Sequence, residues 1–210
     1  MGKTDNSMSN YPEDKKIIKT PIKEARRCMD EDYYEEAISK LQKCLSMDIG
    51  LKDKLAVFKE LGYCSLRLGW FEDAVKIYNQ ILEVNPSDND SRFFRASAYL
   101  SLKWTDEAIQ ELKTILASDP TDVLARHDLA LCYRSKGWMQ ESLEEMRAAK
   151  RYTETYGNPE EKEVIESSLK NLEEEIETGG DDETKNALLK LILALVIKRR
   201  LKKRAEGDKS

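Results

Sequence analysis

Residues 58–86 have the sequence FKELGYCSLRLGWFEDAVKIYNQILEVNP, and this stretch decides the fold. On both sides of Gly69, apolar and small residues recur at intervals of three and four, which is the spacing of one face of an α-helix. Asn85-Pro86 ends the second segment, because proline cannot continue a helix and restricts the residue before it. The stretch therefore predicts two helices joined by a tight turn, with a glycine where the backbone reverses.

The same pattern recurs along the chain. The three tryptophans, Trp70, Trp104 and Trp138, are separated by 34 and 34 residues. Four further columns keep this interval, and a period shared by five columns is improbable by chance, so it indicates a repeat protein. These columns are Ala74, Ala108 and Ser142; Tyr99 and Tyr133; Pro86 and Pro120; and Gly69, Lys103 and Gly137.

The unit resembles the tetratricopeptide repeat (TPR) family, a helix–turn–helix repeat of about 34 residues with the pattern W-x2-L-G-x2-Y…A-x3-F…P. The best match has Phe for the Trp and Ser for the Tyr of that pattern. It is the run Phe58-x2-Leu61-Gly62-x2-Ser65…Ala74-x3-Tyr78…Pro86.

Other units match the family pattern less completely. Units 89–122 and 123–156 keep part of it, and a weaker unit around 18–51 is offset by three extra residues near 52–54. The resemblance covers about residues 18–156. It implies an all-α fold, a right-handed TPR superhelical solenoid of three to four repeats.

The chain beyond the repeats has its own signals. Asn158-Pro159-Glu160-Glu161 predicts an N-cap, a first-turn proline and an acidic first turn of a helix that caps the last repeat. Gly179-Gly180 predicts a linker. The predicted organisation is a flexible N-terminal segment over 1–17, a TPR solenoid with its capping helix over 18–177, a linker over 178–184, and a basic amphipathic helix and tail over 185–210.

Charge is distributed unevenly along the chain. Of the 210 residues, 36% are charged, and the net charge is −5. Residues 185–210 hold nine Lys/Arg and two Asp/Glu, or +7, so the other 184 residues carry −12. An acidic body with a basic tail is a stronger clue to function than the overall charge.

Composition also limits the compartment and the chemistry. Four cysteines without a CxxC pair, and an N-terminus without an apolar stretch, favour a reducing cytoplasmic location. His127 is the single histidine, so we expect no catalytic dyad and no metal site, and no cofactor is indicated. Gly2-Lys3-Thr4 lacks the glycine-rich loop that cradles phosphate. We therefore expect a protein that is not an enzyme.

The family binds its partners in a concave groove lined by the first helix of each repeat, so the resemblance implies a peptide-binding groove here. Where chaperone-binding members have an asparagine that grips a C-terminal carboxylate, this chain has Tyr63, Ser97 and Leu131, which argues against Hsp70 or Hsp90 tails. An apolar lining suits a helix or an extended peptide with hydrophobic anchors; alternatively, some of these side chains pack between repeats. The groove residues are Lys59, Tyr63, Leu66, Phe93, Ser97, Leu100, His127, Leu131 and Arg134.

An aromatic column lies at the turn between the paired helices, where the family pattern asks for none. Two interpretations stay open. Amphipathic rings exposed in a row indicate a contact with a protein or a membrane interface. Alternatively, each ring folds over its neighbour's turn and seals the stack. We call this column the aromatic edge; it consists of Tyr33, Trp70, Trp104 and Trp138.

The tail joins an apolar run, 187–197, to the basic segment Lys198-Arg-Arg-Leu-Lys-Lys-Arg204. Spanning a bilayer takes about 20 mostly apolar residues, and this run is shorter and contains Lys190. Three placements stay open: an anionic membrane surface, a neighbouring copy, or the chain's own body. The side chains that would make the contact are Leu188, Leu189, Leu191, Ile192, Leu195, Val196, Lys198, Arg199, Arg200, Lys202, Lys203 and Arg204.

These observations predict a scaffold or adaptor. We expect its groove to bind a protein or peptide and its basic helix to recruit it to a membrane surface or drive homo-oligomer assembly. Nucleic acid is not an expected partner, because the acidic body would repel phosphate. The alternative is a TPR chaperone that holds a client segment in the groove, with the tail serving only as a cap or an autoinhibitory plug.

Overall fold

The structure is a computed structural model that describes residues 11–178, with side chains over 21–177. In this part of the chain every regular element is an α-helix, which confirms the all-α prediction. The chain divides into two compact units, residues 1–84 and 85–210. The first unit contains α1 (Tyr11–Asp30), α2 (Tyr34–Leu45), α3 (Leu51–Arg67) and α4 (Phe71–Val84). The second contains α5 (Asn89–Ser101), α6 (Thr105–Ser118), α7 (Val123–Ser135), α8 (Met139–Tyr156) and α9 (Pro159–Thr178).

The first eight helices form four consecutive hairpins. In each, the second helix buries small and branched side chains against the first, among them Ala37, Ala74 and Ala108, which are fully buried. Ser142 takes the place of alanine in the fourth hairpin. Its hydroxyl donates to the Ala130 carbonyl at 2.7 Å, so the buried polar atom is satisfied.

Each hairpin turns at a residue with positive φ: Asp32 (61°), Gly69 (77°), Lys103 (65°) or Gly137 (75°). The residue of the aromatic edge that follows donates its N–H to the carbonyl five residues earlier at 2.8–2.9 Å. This hydrogen bond ends the first helix as a Schellman motif, and the carbonyl of the same aromatic residue accepts the first hydrogen bond of the second helix. The glycine column noted in the sequence is therefore a left-handed turn that Asp32 and Lys103 also adopt.

A repeated arginine contact replaces the family's first aromatic residue in the second unit. Arg92 pairs with Glu111 at 2.9 Å and donates to the Pro86 carbonyl at 2.7 Å. Arg126 makes the same two contacts 34 residues later, with Glu145 at 2.6 Å and the Pro120 carbonyl at 2.9 Å. Each arginine therefore ties its own hairpin to the loop that precedes it.

Helices α1 and α3 differ from the predicted boundaries or from the repeat pattern, and α9 lies beyond the last repeat. Helix α1 begins at Tyr11, inside the segment 1–17 predicted to be flexible. Helix α3, which includes the three extra residues near 52–54, has 17 residues, against 13 for α5 and for α7. Helix α9 begins with a capping box, in which Glu161 N–H donates to Asn158 Oδ1 at 2.9 Å and Asn158 N–H donates to Glu161 Oε2 at 3.3 Å.

Candidate functional site

The groove residues lie on α3 in the first unit and on α5 and α7 in the second. Most of their side chains are buried in this structure. Tyr63 is 6% exposed and Phe93 has no exposed surface. Buried to a similar degree are Leu66, Ser97, Leu100, His127 and Leu131. Lys59 and Arg134 are partly buried. A ligand reaches this face only if the covering side chains move.

On α3, Tyr63 belongs to a packed cluster of rings and charges. Its hydroxyl accepts a hydrogen bond from Arg67 Nη1 at 2.9 Å, and its ring meets Tyr34 edge-on at 6.1 Å between centroids. The Arg67 guanidinium lies 4.8 Å from the centre of the Tyr34 ring. Burial raises the pKa of Tyr63 above its ordinary value. Tyr63 therefore offers apolar ring surface on this face, while its polar atom is held by Arg67.

On α7, the groove residues contact the capping helix α9. His127 Nε2 lies 3.1 Å from Ser168 Oγ, and Arg134 Nε lies 2.5 Å from Glu175 Oε2. Both pairs are nearly or fully buried. Two of the three groove residues of α7 therefore hold α9 in place, and α9 occupies this part of the face.

His127 also completes a buried Asp–His–Ser series. Its Nδ1 lies 3.0 Å from Asp128 Oδ1, opposite the contact of Nε2 with Ser168. An ionised carboxylate only accepts, so the hydrogen-bond network assigns the ring proton to Nδ1 and leaves Nε2 to accept from the Ser168 hydroxyl. The order matches a nucleophile–base–acid triad, but the three side chains are at most 3% exposed. No substrate can reach the hydroxyl in this arrangement, so the series is a structural contact.

The aromatic edge is the exposed candidate. Tyr33 is 58% exposed, Trp70 and Trp104 are each 45% exposed, and Trp138 is 43% exposed. In the second unit, Trp104 packs against Tyr99 at 5.8 Å between ring centroids, and Trp138 packs against Tyr133 at 5.7 Å. Each of these two tryptophans thus covers a tyrosine of its own hairpin and leaves nearly half of its surface open.

Carboxylates follow each residue of the aromatic edge in the first turn of the next helix, and from α4 to α8 they recur at intervals of 34 residues that are visible in the sequence. They are Glu35 and Glu36 in α2, Glu72 and Asp73 in α4, Asp106 and Glu107 in α6, and Glu141 in α8. All are exposed. Tyr33 also lines a surface cleft that contains Glu24, Glu31 and Glu36 together with Arg27, Cys28 and Lys40. The edge therefore combines ring faces with negative charge.

The remaining features are a metal site, a membrane-spanning helix, the tail and the linker. Over the described residues, no group of three His, Cys, Asp or Glu side chains is placed to hold a metal ion. None of the helices between residues 11 and 178 has the length and apolar character needed to cross a membrane. The tail contacts predicted for residues 188–204 lie outside the described residues, as does the linker beyond Thr178.

Known proteins share this arrangement of helices. Residues 61–123 match the sequence model of the tetratricopeptide repeat family. The structure superposes with a TM-score of 0.63 on a MamA double mutant, "MamA RS-1 ArsTM", at 20% identity, covering 87% of this chain and 96% of that one. A putative kinesin light chain of Podosopora anserina with TPR-like repeats gives 0.62 at 19% identity, over 88% and 96% of the two chains.

A third structure is the Yersinia enterocolitica type III secretion chaperone SycD in complex with a peptide of the translocator YopD. It matches with a TM-score of 0.53 at 20% identity, over 58% of this chain and 93% of that one. No curated protein sequence matches this chain significantly.

Repeated antiparallel hairpins at a 34-residue interval define an α-helical repeat protein. The sequence match over 61–123 and the similarity of the fold to solved TPR structures agree with the resemblance to the tetratricopeptide repeat family that the sequence predicted.

Proposed function

We propose that this protein is a non-enzymatic scaffold or adaptor that binds a protein segment along the first helices of its repeats. The observation that supports this best is the repeated apolar and aromatic lining of those helices, Tyr63 and Leu66 on α3 and Phe93 and Leu100 on α5. Peptides bind such faces through hydrophobic anchors spaced along a helix or an extended strand. The SycD structure, solved with a translocator peptide, is a precedent in the same fold.

The proposed ligand is a segment with apolar anchors rather than a charged terminus. The face offers rings and branched side chains, and the Tyr63 hydroxyl is already bound by Arg67. On α7 the capping helix holds His127 and Arg134, so ligand contacts are proposed for α3 within the first unit and, separately, for α5 within the second. Binding requires the buried side chains there to open, which favours a slow, specific association over a rapid surface contact.

Affinity co-purification with a matched pair of variants tests the groove proposal. Phe93→Ala removes a ring from the proposed face, whereas Ile115→Ala removes a fully buried side chain from α6, outside that face. Both variants create a core cavity and lower stability by about 2–5 kcal/mol, so unfolding curves set the temperature at which each remains folded. We expect the bound partner to be lost from Phe93→Ala alone. If both variants retain the partner equally, or lose it equally, the proposal that the partner binds in the groove is contradicted.

The basic tail is proposed to bring this scaffold to an anionic membrane surface or to another copy of itself. Its support is the sequence: six Lys/Arg within residues 198–204 follow an apolar run, and each basic residue near an anionic surface contributes about 1 kcal/mol. Co-sedimentation of the full chain with anionic and neutral vesicles tests this. Binding to anionic vesicles alone, reversed by salt and lost in Lys202→Glu/Lys203→Glu, is the expected result.

The second candidate is a chaperone that keeps a client segment in the groove while the tail acts as a cap or plug. The chaperone SycD, an α-helical repeat protein of similar fold, favours it. A chaperone would co-purify with one client in a stoichiometric complex whose segment is protected from protease. A scaffold would instead link two partners at once. Counting the chains in the purified complex by native mass spectrometry separates the two functions.

A further inference from the structure

Helix α9 runs parallel to α7, and this fixes where the described chain ends. His127 contacts Ser168 and Arg134 contacts Glu175, so the two pairs have the same offset of 41 residues. Equal offsets mean that both helices advance in the same direction. Helix α7 ends at Ser135, just before the turn that carries Trp138. The chain therefore leaves α9 at Thr178 on the side of the second unit that bears this part of the aromatic edge.

Two turns of the second unit lie side by side on that edge. Lys136, in the turn before Trp138, places its Nζ 2.5 Å from Asp106 Oδ1, in the first turn after Trp104. The same Nζ lies 5.0 Å from the centre of the Trp138 ring. A lysine is thus already held between a tryptophan face and a carboxylate. This contact shows how the edge accommodates a cation, since ring faces and carboxylates attract cations together.

The aromatic edge of the second unit has two further exposed carboxylates to which cations can bind. Glu107 and Glu141 are exposed in the first turns of α6 and α8, and neither forms an ion pair within the described part of the chain. Trp104, in the turn before α6, retains 45% of its surface exposed. Among the segments of this chain, 198–204 has the complementary chemistry, with six Lys/Arg and one leucine in seven residues.

Chain length permits the contact. Helices pack about 8–10 Å apart, so the turns with Trp138 and Trp104 lie within roughly 30 Å of the end of α9. The 20 residues from 179 to 198 span about 30 Å even if they are wholly helical, at about 1.5 Å per residue, and more if extended. The basic segment can therefore reach this edge from the same chain.

We propose that the aromatic edge of the second unit is a docking surface for the basic segment 198–204 of the same chain. Its lysines and arginines stack on Trp104 and Trp138 and pair with Glu107 and Glu141. The proposal does not depend on the groove function. It does imply competition, because anionic lipid headgroups and these carboxylates attract the same six cations. The acidic edge itself is unsuited to an anionic membrane, since like charges repel.

Hydrogen-exchange mass spectrometry of the full chain tests the docking. We expect the amides of 198–204 to exchange more slowly than in an unstructured peptide, with the protection falling as salt is raised from about 0.05 to about 0.5 M. Glu107→Lys/Glu141→Lys should reduce it by about tenfold, since two exposed ion pairs are replaced by repulsion. Glu163→Lys/Glu166→Lys is the matched control, with the same charge change on exposed positions of α9.

A variant in which charges are reversed on both the edge and the segment provides a second test. Adding Lys202→Glu/Lys203→Glu to the edge variant should restore part of the protection, because the two new carboxylates attract the two new lysines and the net charge of the segment falls from +6 to +2. The proposal is overturned if 198–204 is unprotected in the wild type, if the edge and control variants behave alike, or if restoration fails. Protection that rises with protein concentration, together with a dimer in light scattering, would show that the segment binds a second copy and would overturn docking within one chain.

Discussion

A Cβ atom on Gly62 would lie 2.7 Å from Cζ of Tyr78, inside van der Waals contact with a fully buried ring. At the matching place in the next two hairpins, alanine is present, as Ala96 and Ala130, and the second helix contributes Leu112 or Met146 instead of a tyrosine. The glycine is therefore needed in the one hairpin whose second helix presents a rigid ring at this point.

This contact predicts that Gly62→Ala destabilises the protein. Alanine is the better helix former by about 1 kcal/mol, but the collision with the Tyr78 ring should outweigh this and lower the free energy of unfolding by about 1–3 kcal/mol. Urea denaturation measures the change. The double variant Gly62→Ala/Tyr78→Leu copies the Ala96–Leu112 pair and should recover part of the loss. A single variant as stable as the wild type would show that the ring moves aside freely.

The left-handed turns predict opposite effects for two substitutions. Lys103 has a φ of 65°, a conformation that costs a side-chain-bearing residue about 1–2 kcal/mol, so Lys103→Gly should raise the free energy of unfolding by about 1 kcal/mol. Gly137→Ala should lower it by a similar amount. A Cβ at Gly137 meets no atom within 4 Å, so that loss reports backbone strain alone. Thermal unfolding checks both, and shifts of the same sign in both would contradict the explanation.

Burial of Cys64 predicts a loss of stability at alkaline pH. Burial, with a smaller contribution from Glu60, raises the pKa of this thiol from 9.0 to about 12. The unfolded chain releases the proton near pH 9 and the folded chain retains it, so stability falls as pH rises between these values, by up to about 1.4 kcal/mol per unit. Denaturation at pH 8 to 11 should show a shallower fall in Cys64→Ala. If the free energy of unfolding falls equally steeply with pH in Cys64→Ala, groups other than Cys64 cause the fall.

The repeat could be predicted from sequence because its information is periodic. The 34-residue columns indicated the hairpins and the turn at Gly69, Lys103 and Gly137, and the local run Asn158-Pro159-Glu160-Glu161 separately indicated the N-cap of α9. The contacts of α9 could not be predicted in this way. This helix lies outside the period, so no column gives its offset from α7, and the partnership of His127 with Ser168 depends on that offset.

The sequence also did not indicate how deeply the groove residues are buried. A residue such as Phe93 is apolar whether it lines an open face or a packed one, and its periodicity is the same in both cases. The acidic residues after each tryptophan, by contrast, were visible at the repeat spacing. Their relation to the rings depends on the position of Lys136, which lies near both Asp106 and the Trp138 ring, and the sequence does not give that position.

The contact between His127 and Ser168 predicts how α9 is held. Ser168→Ala removes the hydroxyl that donates to Nε2 and leaves a buried nitrogen unsatisfied, so we expect the free energy of unfolding to fall by about 1–3 kcal/mol. Because the contact joins α9 to α7, amide exchange should accelerate in α9 more than in the hairpins before it. Ser167→Ala is the matched control, since Ser167 is the exposed neighbour on the same helix and should change neither quantity. Equal acceleration in both variants, or acceleration spread evenly over the second unit, would mean that this hydrogen bond does not hold α9 against α7.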